Sequence, residues 1–357
     1  MRRFVVNGNV MADGEGNLAY IVAEIGANHQ GNIEKCKEIV RMAIKSGVDA
    51  VKMQKRNNKE MFHSSVYNSP YENENSFGAT YGEHREKLDW FGEEEYLQIM
   101  DIACEGKIHC FATPFDFDSL YFCREMNFPV IKIASCDLKN TALISEASKG
   151  NASMIISTGG GKIEDIERAY RLATVKKKEC EVALLHCVSK YPNSDNISLK
   201  QIDMLKHKFP DSIIGFSSHH PGLLPIYVAY CHGARIFEVH VTLNRANKGT
   251  DNPFSLEEGG LSKLCEDIRR IPEMEKVRTI CDDGFVRKFG KAIYTKRDIK
   301  SGQRITGDDI CLRAPADNDE LPIYIWWNRL KSGKLTAKLD IYGNTLLTRS
   351  MIAKEYR

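Results

Sequence analysis

The sequence predicts an α/β protein: a (β/α)8 TIM barrel followed by a small C-terminal β domain. Three observations point there. Eight short β-rich runs recur along most of the chain, helical stretches lie between them, and the periodicity breaks down after residue 272. Strand alternating with helix means parallel βαβ units. Eight such units over roughly 260 residues fit a closed barrel better than an open sheet.

The strands are, in order, YIVAEI (20–25), DAVKM (49–53), IHCFA (108–112), PVIKIA (129–134), SMIIST (153–158), EVALLHC (181–187), SIIGFS (212–217) and ARIFEVHV (234–241). Between them, IEKCKEIVRMAIKSG (33–47) sets Ile33, Cys36, Ile39, Val40 and Ala43 on one stripe and stops at Gly47. KIEDIERAYRLA (162–173) repeats the helical pattern. The stretch 55–91, rich in Asn, Ser, Gly and Tyr, is far longer than an ordinary βα connection. Such connections crowd the catalytic face of a barrel, so a lid or substrate wall is expected here.

Residues 273–290 lose the strand–helix pattern and read as a linker. The barrel domain then spans 1–272 and the small domain 291–357, built of short β-like pieces with glycine turns. With few large apolar side chains, the small domain is expected to lean on the barrel or on a second subunit.

Composition narrows the function. Hydrophobic residues at 42% and charged residues at 27% exclude wholesale disorder. Fifty Lys+Arg against 48 Asp+Glu leave no broad basic field, so no nucleic-acid partner is expected and any anion site is local. The start, MRRFVVNGNVMADGEG, lacks the apolar core of a signal peptide, and no run of about 18 apolar residues follows. The expectation is a cytoplasmic protein with no membrane partner. Eleven cysteines include no C-x-x-C pair; they read as buried, reduced thiols and not as a zinc or disulfide framework.

Barrel chemistry sits at the C-terminal ends of strands. Glu24 ends the first strand, with Gly26 and Gly31 allowing a tight turn around Asn28 and His29. Lys52, then Gln54, Lys55 and Arg56, follow on the second; Thr113 ends the third. Lys132, Ser135 and Asp137 follow the fourth, and Ser157 and Thr158 precede three glycines (159–161). His186, Ser189 and Tyr191 come next, then Ser217, His219 and His220, and finally Glu238 and His240. Singly, each has an ordinary structural reading. Eight consecutive strands ending in polar groups cannot all be core, because an unpaired buried polar group costs about 1–3 kcal/mol.

The set divides by chemistry. Lys52 and Lys132, with hydroxyls from Thr113, Ser135, Ser157 and Ser217, suit a small anion bearing phosphate and carboxylate. The triple glycine offers further backbone N–H groups but is no nucleotide-binding loop. Glu238 and His240, two apart on a strand, share a face. His219 leaves the neighbouring strand, so two imidazoles can converge on one divalent ion with open positions, Mn²⁺ or a similar ion rather than closed zinc.

IVAEIGANHQGN, DAVKMQK, YGEHREKL, KIAS, STGG, LLHCVSKYP, IIGFSSHH and FEVHVTLNRANKGTD, in that order, resemble the sialic acid synthases. RDIKSGQRITGDDICLRAP resembles their antifreeze-like (SAF) domain. The resemblance implies an enzyme that condenses phosphoenolpyruvate with an N-acylated mannosamine or its phosphate, releasing phosphate. It implies a divalent ion (Mn²⁺, with Mg²⁺ or Co²⁺ as alternatives) and a domain-swapped homodimer. Carried over, the phosphoenolpyruvate group is Lys52, Thr113, Lys132, Ser135, Ser157, Ser189 and Ser217. The metal ligands are His219 and His240. The sugar contacts are Glu24, Tyr191, Glu238, Asp251 and, from a partner's small domain, Arg313. The chain departs from the family pattern at Ala134-Ser135-Cys136, at Ser218, in EVHVTLNR and in APADNDELP after Arg313. A synthase for another nonulosonic or aldulosonic acid and a silent sugar-binding scaffold remain the alternative readings. The YGEHR segment (81–85), Lys55 and Arg56 are candidate partners for an acceptor phosphate.

Overall fold

The structure is a computed structural model and describes residues 2–15, 18–190, 192–193, 195–277, 283–316 and 321–353. It divides into two units, Met1–Lys276 and Val277–Arg357.

The first unit opens with a hairpin, β1 (Arg3–Val6) and β2 (Asn9–Asp13), before the barrel begins. Asn7 and Gly8 turn it with φ of 49° and 82°, the Asn-Gly signature of a tight hairpin. The barrel strands are β3 (Tyr20–Glu24), β4 (Ala50–Lys55), β5 (His109–Pro114), β6 (Val130–Ile133), β7 (Ser153–Ser157), β8 (Val182–Cys187), β9 (Ile213–Ser218) and β10 (Ile236–His240). They pair in parallel, in sequence order, and β10 closes on β3 through His240 opposite Glu24. The predicted (β/α)8 barrel is the observed fold, and each strand lies where its β-rich run was read. Nearly every barrel-strand residue is buried, as expected where helices cover a sheet whose other face fills the barrel.

The first crossover helix, α1 (Ile33–Ser46), starts where the Asn32 side chain accepts from the Lys35 amide. It ends at Gly47 with φ 87°, and Cys36, Ile39, Val40 and Ala43 face inward. The 55–91 stretch carries three helices, α2 (Asn58–Met61), α3 (Ser64–Tyr67) and α4 (Tyr81–Asp89), the last opened by a Thr80–Glu83 capping box. The remaining helices of the unit are α5 (Glu93–Glu105), α6 (Phe117–Glu125), α7 (Thr141–Ser148), α8 (Ile163–Thr174), α9 (Gln201–Lys208), α10 (Leu224–Cys231) and α11 (Glu258–Glu275). Helix α11 runs through Pro272, and α12 (Asp283–Phe289) lies inside the stretch read as linker; residues 278–282 lie outside the described residues.

The second unit pairs β11 (Ala292–Thr295) with β13 (Ile310–Arg313) and β12 (Arg304–Thr306) with β14 (Ser332–Thr336), both antiparallel. It also contains α13 (Ile323–Lys331), which sequence reading did not anticipate. Its own apolar cluster includes Ile293, Ile299, Ile305, Ile310, Leu330, Leu335 and Leu347, with Trp326 and Trp327 packed against it. The domain thus has an apolar cluster of its own, built by isoleucines and leucines from its strands and from α13 together with the two tryptophans.

The reading of the cysteines as buried thiols needs one correction. All the described cysteines are free thiols, but Cys104, Cys136 and Cys231 are exposed. Among the described residues, no helix is long and apolar enough to cross a membrane.

Candidate functional site

The C-terminal ends of the barrel strands surround a cavity of about 740 Å³. Into it the structure brings Glu24, Lys52, Thr113, Lys132, Ser135, Ser157, Ser189, Ser217, His219, Glu238, His240 and Asp251. Tyr191 lies outside the described residues. Arg313 belongs to the second unit, where it ends β13, is exposed, and donates to Asn344 Oδ1 at 2.6 Å.

Two ammonium groups sit at the cavity floor. Lys52 Nζ lies 2.6 Å from Glu24 Oε2 and donates to Thr113 Oγ1 at 2.9 Å, with Glu238 Oε2 at 3.7 Å. Burial disfavours this ammonium, but Glu238 and Glu24 outweigh it and hold its pKa above the ordinary lysine value. Lys132 Nζ donates to Ser157 Oγ at 2.7 Å and to the Ile133 carbonyl at 3.1 Å; Glu238 Oε2 is 3.8 Å away. Burial lowers its pKa, and Glu238 offsets that only in part. Glu238 also accepts from Ser217 Oγ at 3.0 Å. Burial opposes its charge, but Lys132, Lys52 and His240 keep it well below the usual glutamate range. The floor therefore holds a tight ionic network that an anion can enter only by competing for lysine protons.

Within the triple glycine, Gly159 is engaged by the protein itself. The Gly159 amide donates to Ser135 Oγ at 3.1 Å, so it positions that hydroxyl and is no open anion donor. A Cβ at Gly159 would stand 2.6 Å from Ser189 Oγ and 2.7 Å from Ser135 Oγ, which explains the glycine.

The two histidines lie side by side, ring centroids 5.3 Å apart. His219 Nδ1 is 3.2 Å from the Val188 carbonyl. A carbonyl only accepts, so Nδ1 carries the proton and Nε2 is the ring's acceptor. Burial pushes the His219 pKa down to about 4, keeping the imidazole neutral, as metal ligation requires. His240 Nδ1 is buried without a hydrogen-bond partner, 3.4 Å from Asp251 Oδ2. Among the described residues, no cluster of three or more His, Cys, Asp or Glu is arranged to hold a metal. The neutral His219 imidazole beside His240, whose Nδ1 is buried and unpaired, fits an ion whose other positions belong to substrate and water.

Other residues singled out in the sequence have structural work. Asn28 donates to the Val241 carbonyl and Ser255, His29 stacks on Phe91, and His186 bonds the Ile197 carbonyl. Thr158 donates to the Leu185 carbonyl. Lys55 donates to the Phe91 carbonyl and lies over the Phe122 ring, and it is not among the cavity-lining residues. Arg56, Tyr81 and Arg85 do line the cavity, so the long connection after β4 forms part of its wall. Gln54, named from its strand end, donates to Glu24 Oε1 at 2.7 Å. One partner escaped sequence reasoning. Asp89 pairs with both Arg56 and Arg85, and its position four residues after Arg85 on one helix was the available signal.

A model of the NeuB family matches residues 39–278. N-acetylneuraminate-9-phosphate synthase from Drosophila melanogaster is 34% identical over 322 residues, covering 82% of this chain and 86% of the relative. The human protein of that name is 31% identical, with 82% of each chain covered. A crystal structure of N-acetylneuraminic acid (sialic acid) synthetase from Leptospira borgpetersenii superposes with a TM-score of 0.68 at 28% identity, covering 80% of this chain and 93% of that one. The resemblance found in the sequence motifs thus extends across most of the chain and through its three-dimensional structure: the chain is an enzyme of the NeuB family.

Proposed function

We propose that the enzyme condenses phosphoenolpyruvate with an N-acylated mannosamine-type sugar, free or 6-phosphorylated, to give a nonulosonic (sialic) acid and inorganic phosphate. The observation that carries this reading is the pair of buried lysines at the ends of β4 and β6, ringed by hydroxyls and facing the same cavity as the histidine pair. Lysines as point charges and serine and threonine hydroxyls as donors suit a compact phosphate-and-carboxylate anion.

In this scheme Lys52, Lys132, Thr113, Ser135, Ser157, Ser189 and Ser217 hold the donor. Its C3 forms the new C–C bond to the aldehyde carbon of the open-chain sugar. Water adds at C2, the C2–O bond to phosphate breaks, and phosphate leaves. Glu24 or Glu238 takes the proton of the attacking water or returns one to the former aldehyde oxygen. A divalent ion on His219 and His240, Mn²⁺ or alternatively Mg²⁺ or Co²⁺, would supply Lewis-acid polarisation. Asp251 and Tyr191 orient the sugar. The small domain acts as an SAF domain in a domain-swapped homodimer, with Arg313 reaching the partner's pocket. Its exposure and planar fork of donors support that role. Refolding His240→Ala and Arg313→Ala chains together should then restore part of the activity that each lacks.

The testing experiment measures phosphate release from phosphoenolpyruvate and Mn²⁺ with a panel of free and phosphorylated N-acylated hexosamines. Release that needs the sugar and stops in chelator is expected. No release with any acceptor would overturn the proposal.

A further inference from the structure

The connection after β10 brings Thr250 and Asp251 to the cavity, with Asp251 Oδ2 3.4 Å from His240 Nδ1. Two other connections hold the turn that carries them. Gln30, after β3, donates through its side-chain amide to the Lys248 carbonyl, which also accepts from Asn252 Nδ2 at 3.1 Å. From the long connection after β4, 174 residues away in sequence, Asn75 Oδ1 accepts from the Gly249 amide at 2.9 Å. The Lys248 ammonium lies 4.8 Å from the centre of the Phe77 ring. Asn75 is half-buried and is not among the cavity-lining residues.

The two sides of Asp251 are held differently. Downstream, Thr242 Oγ1 donates to Asn252 Oδ1 at 2.6 Å and Ser255 Oγ donates to the Asp251 carbonyl at 2.7 Å, which ties the chain to the barrel end. Upstream stands Gly249, with φ 135°, where a Cβ would lie 2.8 Å from Asn252 Nδ2. Glycine enters this conformation freely and leaves it as freely, so the approach of Asp251 depends on what grips Gly249. The grip is braced. The Asn75 amide donates to Asn73 Oδ1 at 2.9 Å, and the Phe77 amide donates to His84 Nδ1 at 3.1 Å. His84 is buried on α4 beside Arg85, which lines the cavity. Asn75 therefore reaches Gly249 from the cavity wall and not from a free loop tip.

We infer that Asn75 is a positioning residue for Asp251: by gripping the Gly249 amide it sets how the Asp251 carboxylate faces His240, and so shapes the acceptor end of the site without touching the acceptor. This rests on the synthase reading above, in which Asp251 orients the sugar, and adds to it a residue outside the cavity. The bond asks for an oxygen at position 75, because its partner is an N–H donor. Aspartate supplies that oxygen at the same reach, and alanine does not.

The test measures phosphate release by the full-length, Mn²⁺-loaded enzyme with the best acceptor of the hexosamine panel. Asn75→Ala should raise the acceptor KM by about three- to tenfold, the scale of one hydrogen bond, with the KM for phosphoenolpyruvate held within about twofold. Asn75→Asp should bring the acceptor KM back to within about twofold of the parent. In an Asp251→Ala background, adding Asn75→Ala should lower the acceptor kcat/KM by less than about twofold, because the group it positions is gone. Hydrogen exchange across residues 244–252 should quicken by about tenfold in Asn75→Ala, recover in Asn75→Asp and leave the barrel strands unchanged. An unchanged acceptor KM in Asn75→Ala would overturn the inference. So would losses that multiply in the double variant, since Asn75 would then act elsewhere, and so would unchanged exchange across 244–252. No phosphate release by the parent with any acceptor would instead overturn the synthase reading, and exchange alone would then decide whether Asn75 holds the turn.

Discussion

On the β3–β5 side of the cavity floor, opposite charges touch: Lys52 is 2.6 Å from Glu24 and hydrogen-bonded to Thr113. On the β6–β7 side, Lys132 bonds a hydroxyl and a carbonyl, and its nearest ion partner is Glu238 at 3.8 Å. The residue type, the place at a strand end and the burial are the same, yet the two pKa values move in opposite directions. Counter-charge within contact distance makes the difference. Lys52 is tied into the fold through Glu24, whereas Lys132 carries a charge that the protein alone satisfies poorly. An incoming anion therefore gains more at Lys132, and the fold depends more on Lys52.

Glu238→Gln attacks what the two sides share. It leaves two buried ammoniums with Glu24 as their remaining carboxylate, and breaking a buried pair this way should cost about 3–5 kcal/mol in urea unfolding. Saturating phosphoenolpyruvate should recover part of the loss. A loss under about 1 kcal/mol would mean that the lysines do not depend on this carboxylate.

A smaller effect separates the sides. Lys52→Met strands the Glu24 carboxylate and should cost about 3 kcal/mol, while Lys132→Met replaces a poorly paired cation with an apolar chain and should stay within about 1 kcal/mol of the parent. Equal losses in the two variants would erase the distinction.

The pH dependence should be the slightest effect. The lowered pKa of Lys132 means that the folded state binds fewer protons than the unfolded state between that value and the ordinary lysine value. Stability should therefore rise with pH across this window. Donor affinity should fall across the same window, because the ammonium is lost. The charged groups facing Lys132 are Glu238, Lys52 and Glu24, with the Cys187 thiol beside them. Lys132→Met should abolish both trends; their persistence in that variant would assign them to another group.

Much of this site was legible because strand ends in a barrel are fixed by the strands themselves. Once YIVAEI and DAVKM are strands, Glu24 and Lys52 must meet, and they do so across adjacent β3 and β4. Side-chain pairings from outside the strands were not legible in that way. Asp89 reaches Arg56 only because α4 folds back over the mouth, and nothing in the composition of residues 55–91 announces that path. The triple glycine reads as a set of backbone donors near a helix start, but the Gly159 amide is taken by Ser135 Oγ from another strand end and the Gly161 amide by the Thr158 carbonyl. Two misses had a local signal. Asn7-Gly8 between apolar residues specifies the β1–β2 hairpin, and IYIWWNRLK forms α13 in a domain expected to be built of β-like pieces.

If both floor lysines hold one donor, calorimetric titration of phosphoenolpyruvate into the Mn²⁺-loaded enzyme will register each of them. The Kd should rise by about ten- to a hundredfold in Lys52→Met and in Lys132→Met, with the larger rise at Lys132. An unchanged Kd in both variants would contradict the account and put the donor's charge elsewhere in the cavity.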